Sequence, residues 1–272
     1  MDRDEIIKSV ELFTNVSTGN HISKDDAIHP KYAGIKIFDT PILAFGAAND
    51  ELYTKFKSPD VIGENFMAPI EWLQDAKTVI SFFLPYISYI KESNSKNYKW
   101  PSNEWLHGRY EGHIFVQNLM QFIEKMLIKA GYKAVVPSMN DSFELKRIET
   151  DENIKYITNW SERHVAFACG LGTFGLSKGL ITKKGICGRF GSIITDLELP
   201  SDERNYKEIY EYCNMCGVCI AHCPANAISL DKGKNSSLCS KFLDKVREKH
   251  APRYGCGKCQ VNVPCESGIP IK

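Results

Sequence analysis

The chain has 272 residues, with 34 lysines and arginines against 33 aspartates and glutamates, a net charge of +1. That length accommodates one large domain plus a small one, and the balanced charge offers no global field for a polyanion, which disfavours nucleic acid as the default partner. The longest apolar run, Thr78 to Ile87, is too short to span a bilayer and contains Pro85, and the start Met1-Asp2-Arg3-Asp4-Glu5 shows no export signal, so a cytoplasmic protein with no membrane partner is expected.

Along the chain, Gly34 to Phe38 and Pro41 to Phe45 read as short strands around a turn. Glu71 to Lys77 ends a helix-like segment, and Thr78 to Leu84 then reads as a buried strand, rich in β-branched and aromatic residues. Tyr98 to Tyr110 carries aromatics and polar groups without helical period, which fits a pinned loop or a lid. His113 to Ala130 is the clearest helix, with Phe115, Leu119, Phe122, Ile123, Met126 and Leu127 at three- and four-residue steps and Gly131 as its stop. Lys133 to Val136 follows as a strand. Strand, helix, strand gives an α/β layer with its sheet covered by helices.

Glu162 to Cys169 is helix-like and is broken by Gly170, Gly172 and Gly175. Glycines at that density let a backbone approach a ligand closely, or simply turn the chain. They follow a helix rather than a strand, which is the wrong order for a dinucleotide loop. Leu199 to Asn205, with Pro200, is a polar join. It divides a cysteine-poor part, 1–200, from a cysteine-rich part, 201–272.

Eight of the ten cysteines lie in the last sixty residues. The run Cys213-x2-Cys216-x2-Cys219-x3-Cys223-Pro224 is the spacing of bacterial two-cluster ferredoxins, in which the fourth cysteine ligates the other cluster. Cys239, Cys256, Cys259 and Cys265 follow. The crossed pairing assigns Cys213, Cys216, Cys219 and Cys265 to one 4Fe–4S cubane, and Cys223, Cys239, Cys256 and Cys259 to the other. A regular repeat would place a cysteine at Val263; Cys265 stands two residues later, after Pro264. Zinc and disulfides compete for such cysteines, but the 2-2-3 spacing and the absence of an export signal disfavour both. Cys169 and Cys187 sit alone in apolar or glycine-rich stretches and read as packing residues. His222, inside the cysteine run, reads at most as a hydrogen-bonding neighbour of a cluster.

Four segments resemble the epoxyqueuosine reductase group and its corrinoid-dependent relatives, the reductive dehalogenases. They are Glu162-Arg163 followed by Gly170-Leu171-Gly172; Gly185 to Pro200 with Gly191 and Thr195-Asp196-Leu197; the cysteine run through Ala227-Ile228; and Tyr254-Gly255-Cys256 with Cys259-Gln260. The resemblance implies a nitroreductase-like α/β (α+β) cofactor domain at 1–200, holding base-off cobalamin. A small ferredoxin-like domain at 201–272 would carry two 4Fe–4S clusters. It implies cofactor contacts from Arg163, His164, Gly170, Gly172, Gly175, Lys178 and Gly191. The family's general acid precedes its Glu-Arg pair by six residues; ungapped counting reaches Tyr156, and a gapped alignment reaches Asp141 in Asn140-Asp141-Ser142. The family's tRNA-modifying members carry helical repeats after the clusters, whereas this chain stops at Lys272, so tRNA is not expected as substrate.

Three functions stay open at this stage. The first is a cobalamin-dependent iron–sulfur reductase acting on a small molecule and fed by a donor such as ferredoxin or flavodoxin. The second is an electron-transfer or corrinoid-activating protein without substrate chemistry. The third is a flavin-dependent iron–sulfur reductase.

Overall fold

The computed structural model describes residues 1–150 and 153–271; Lys272, the end of the expected second part, lies outside them. Helix α1 (Arg3–Val16) starts at a reciprocal cap, in which the Asp2 carboxylate accepts from the Glu5 amide and the Glu5 carboxylate accepts from the Asp2 amide, each at 2.9 Å. Its buried residues Ile6, Val10 and Thr14 recur every fourth position and form one apolar stripe. Strand β1 (Ile42–Ala47) follows, then two short helices, α2 (Glu51–Lys55) and α3 (Pro69–Trp72). Strand β2 (Thr78–Pro85) is buried along its whole length. Helices α4 (Ser88–Ser95) and α5 (Asn103–Lys129) lead to β3 (Ala134–Val135).

A hairpin, β4 (Leu145–Glu149) with β5 (Ile154–Thr158), precedes α6 (Glu162–Ala168). A second hairpin pairs β6 (Gly172–Phe174) with β7 (Leu180–Thr182), and β8 (Gly188–Thr195) then returns to the main sheet. The cysteine-rich part adds α7 (Val218–Ala221), β9 (Ile228–Ser229), β10 (Gly233–Lys234) and α8 (Ser236–His250).

The main sheet has the order β1-β2-β8-β3, and every pairing in it is antiparallel. The alternation along β2 splits the core in two. Ile80, Phe82 and Leu84 join residues of α1 and α5, including Val10, Phe115 and Leu119. Val79 and Phe83 join Val165 and Ala166 of α6, with Tyr53, Phe66 and Trp160. The architecture is therefore mixed α/β with helices on both faces of the sheet.

Several expected elements are placed differently. Gly34 to Phe38 makes only isolated bridges, Lys36 to His21 and Phe38 to Tyr86, because its backbone is tied to Ile22 and Asn20 rather than to a neighbouring strand. The helix expected up to Lys77 ends at Trp72, and the Lys77 amide donates to the Thr195 carbonyl at the sheet edge. The non-periodic segment Tyr98 to Tyr110 is largely helical. From Asn103 it is the start of α5, opened by the Ser102 hydroxyl accepting from the Trp105 amide at 3.1 Å. Trp105, Leu106, His107 and Gly108 are all buried, so that turn shows no amphipathic period.

The polar join near residue 200 is anchored, not free. The Asp202 carboxylate accepts from the Phe45 amide at 2.8 Å and pairs with Arg3; Arg204 pairs with Asp50 and donates to the Ala168 carbonyl at 2.8 Å. The cysteine-rich part also docks by backbone and side chain. The Ile186 amide donates to the Cys265 carbonyl, Asn94 donates to the Cys256 carbonyl and Lys91 donates to the Ser267 hydroxyl. Arg253 forms an ion pair with the buried Glu111 of α5.

Candidate functional site

Two cavities lie in the cysteine-rich part, and each is walled by four cysteines. The first is lined by Cys213, Cys216, Cys219 and Cys265, with apolar neighbours such as Ile181, Ile186, Met215 and Val263. The second, of about 200 Å³, is lined by Cys223, Cys239, Cys256 and Cys259. Trp105 and Arg109 of α5, Gly188 and Arg189 of β8, Lys234 of β10, Phe242 of α8 and Tyr254 complete its wall. The chain reaches the first cavity with a left-handed turn at Met215 (φ 53°) and Gly217 (φ 75°) inside the cysteine run. Pro224 and α7 carry Cys223 away to the second.

Burial raises four of these thiols, those of Cys219, Cys256, Cys259 and Cys265. Cys256 and Cys265 are pushed up to about 12, and Cys219 to about 11, mainly by desolvation. Bare thiols of that kind stay protonated at neutral pH, and only a bound cation makes thiolates of them. Among the described residues no group of three or more His, Cys, Asp or Glu is gathered tightly enough to hold a single metal ion. The sulfurs stand around the cavity walls with no aspartate, glutamate or histidine in either lining, which leaves thiols as the donor set that iron–sulfur clusters take. The residues present thus fit a cluster in each cavity.

The remaining expected site residues are scattered. Tyr156 of β5 is 43% exposed, and its hydroxyl shares a 3.0 Å hydrogen bond with Ser240 of α8. Asp141 is exposed in the turn before β4. The structure brings neither to a cysteine-walled cavity. His164 is wedged between Phe56 and Phe174, its Nδ1 2.8 Å from the Ser161 hydroxyl, and desolvation pushes it down to about 4, so it is a neutral packed imidazole. Lys178 is exposed, and its carbonyl accepts from Arg163. Arg163 is exposed and outside the lining of the second cavity, with Cys259 and Cys239 the ionisable groups that act on it.

The glycines serve packing. Gly170 (φ 96°) follows the end of α6 as its left-handed stop. A side chain at Gly172 would strike the Ile181 carbonyl across the hairpin, and one at Gly191 would strike Phe82 and the Met120 sulfur. Gly175 lines the first cavity, against Ile181. Space that could receive a flat cofactor at Gly172 and Gly191 is filled by the protein itself.

Cobalamin does not fit the second cavity. Its volume of about 200 Å³ is below the roughly 300–1,000 Å³ of sites for drug-sized ligands, and a corrinoid with its nucleotide tail is larger still.

Residues that sequence reasoning missed surround the second cavity. Arg189 Nη2 lies 3.1 Å from His113 Nδ1, and Arg109 donates to the Tyr254 hydroxyl at 2.7 Å while stacking on that ring. Lys234 is held above its ordinary value, chiefly by the Cys259 thiolate. Behind β8, Glu162 accepts from the Ser192 hydroxyl at 2.6 Å; burial, opposed by that bond, raises its carboxyl to about 7. No sequence signal marks Arg109 or Arg189, whereas Glu162 lies in the Glu-Arg pair already singled out. Cys169 and Cys187 are both buried outside the two cavities, and the Cys187 thiol donates to the Gln260 carbonyl at 2.9 Å. Among the described residues no helix is long and apolar enough to cross a membrane.

Residues 206–229 match the 4Fe-4S binding domain. The chain is 27% identical over 214 residues to the epoxyqueuosine reductase of Lactococcus garvieae, covering 72% of this chain and 54% of that protein. It is 41% identical over 114 residues to a tetrachloroethene reductive dehalogenase of Desulfitobacterium hafniense, covering 39% of this chain and 21% of the dehalogenase. The fold is similar to that of the epoxyqueuosine reductase from Bacillus subtilis, with a TM-score of 0.54 at 19% identity, over 99% of this chain and 66% of that one. The chain spans about half the length of the first of these curated relatives.

Proposed function

We propose that this chain, a relative of the epoxyqueuosine reductases and reductive dehalogenases, is an iron–sulfur reductase with a 4Fe–4S cluster in each cysteine-walled cavity. Its acceptor would be a small molecule beside the second cluster. What supports the reading is one observation: eight thiols divide into two sets of four around two separate cavities. Bound clusters supply single electrons at low potential. The protein's own residues set the conditions. Cys216 and Met215, on the exposed side of the first cavity, leave that end open to a donor protein. Apolar walls around the first cavity and cations around the second make the second the better seat for added negative charge, since a nearby positive charge favours the reduced, more anionic state. Cys259 and Cys239 of the second set act on Arg163 and Lys234, which serve as their counter-charges. Glu162, raised to about 7 by burial, exchanges a proton near neutral pH behind β8.

The test is a pair of single substitutions in anaerobically prepared protein. Cys265→Ser should remove one cluster's signal and about half the iron, and Cys256→Ser the other's, since each cubane holds four irons. Two variants that lose the same signal, or neither, would refute the division into two sites.

A further inference from the structure

The second cavity carries three cations on the wall that its four cysteines share. Its lining includes Arg109, Arg189 and Lys234 and no aspartate or glutamate. The cations fall into two groups. Lys234 and Arg163 feel the cysteines most directly, and so belong to the cluster. Arg189 is influenced most by its own burial and by Arg109, Tyr86, Tyr254 and Arg163. Arg109 reaches only the neutral Tyr254 hydroxyl. Arg189 reaches the His113 imidazole, which desolvation and the two arginines push down to about 4, so that it stays neutral and accepts. The Arg189 Nε is buried without a hydrogen-bond partner.

The acid that senses Arg189 is Glu162, whose carboxyl is bonded to Ser192. Ser192 and Arg189 are three residues apart on β8 and so point to opposite faces. Glu162 therefore does not complete an ion pair in the cavity. Two half-buried guanidinium groups that repel one another, with no carboxylate between them, are relieved when an anion joins them. Arginine forks match the two oxygens of a carboxylate or phosphate. Trp105, Phe242 and Tyr254 wall the same space and would cover an apolar body attached to that group.

We infer that the space between Arg109 and Arg189 is an oxyanion subsite, and that the acceptor reduced here is a small molecule bearing a carboxylate or phosphate group. The inference rests on the iron–sulfur reading for the word acceptor, but the anion site itself is read from the arginines.

Isothermal titration of the anaerobic, iron-loaded protein tests it, with iron counted first so that a failure to hold clusters is seen separately. The probes are sodium benzoate, sodium phosphate and neutral benzamide at low ionic strength. Benzoate or phosphate should bind at one site per chain and benzamide should not; the tighter of the two anions identifies the group. Arg189→Gln and Arg109→Gln should each weaken that binding tenfold or more. Arg247→Gln, at a residue that also stacks on the Tyr254 ring but is outside the cavity lining, should leave it unchanged. If either arginine variant fails to fold, the charged-against-neutral comparison in the unsubstituted protein still decides. Iron-loaded protein that binds neither anion, or that binds benzamide as well as benzoate, overturns the inference. So does an Arg189→Gln variant that lowers the second cluster's potential while anion binding is unchanged, since the arginine would then be a counter-charge only.

Discussion

Replacing Glu162 by glutamine removes one titrating proton and keeps a group that accepts from the Ser192 hydroxyl. In the folded chain this carboxyl is raised from 4.5 to about 7, chiefly by burial. The folded state therefore holds a proton that the unfolded state has released. The associated stability is fully present below about pH 4.5 and is lost as pH rises through about 7. At about 1.36 kcal/mol per pH unit, the span of roughly 2.5 units is worth at most about 3 kcal/mol. Glutamine carries no such dependence, so the variant should gain on the parent by roughly 2 kcal/mol between about pH 5.5 and 7 and level off near pH 8. Guanidinium unfolding of both proteins, run side by side without oxygen, gives the difference directly, because any effect of the clusters is common to the two. A difference that stays flat from about pH 5.5 to 8.5 would show that Glu162 is ionised throughout, and the proton store assigned to it would be wrong.

Gly191→Ala puts a methyl group against the Phe82 ring and 2.9 Å from the Met120 sulfur; denaturant unfolding should record a loss of about 1–3 kcal/mol from overpacking. Tyr156→Phe removes only the bond to Ser240, so stability should fall by about 0.5–1.5 kcal/mol or less, and any turnover found should persist; loss of turnover with intact clusters would restore Tyr156 as the proton donor. Lys234→Met takes away a cation facing Cys259 and Cys239; potentiometric EPR titration should show the second cluster moving to lower potential and the first unmoved.

The cysteine framework was legible because covalent spacing along the chain limits which sulfurs can surround one body, whatever the rest of the fold does. The buried strand β2 was legible for a different reason: an apolar run between Lys77 and Pro85 has few other fates. Helix α5 was legible only from His113 onward. Its first turns bury Trp105 and His107 on faces that meet Tyr86 and Tyr32, and burial on several sides erases the period that sequence reading depends on. The glycines after α6 read either as ligand approach or as a plain turn; Gly172 is demanded by Ile181 across its own hairpin, and Gly191 by Phe82 and Met120, residues far off in sequence that the fold brings near. Arg109 and Arg189 were invisible for the same reason. One belongs to a helix, the other to a strand eighty residues on, and their unanswered charge exists only where the two elements meet.

The central claim is most directly tested by iron, acid-labile sulfide, cobalt and flavin measured on one sample of protein purified without oxygen in cobalamin-supplemented medium. Two cubanes require about eight irons and about eight sulfides per chain, with cobalt and flavin far below one. About four irons, or irons without matching sulfide, would contradict the two-cavity reading, and cobalt near one per chain would show that a corrinoid binds somewhere other than the second cavity.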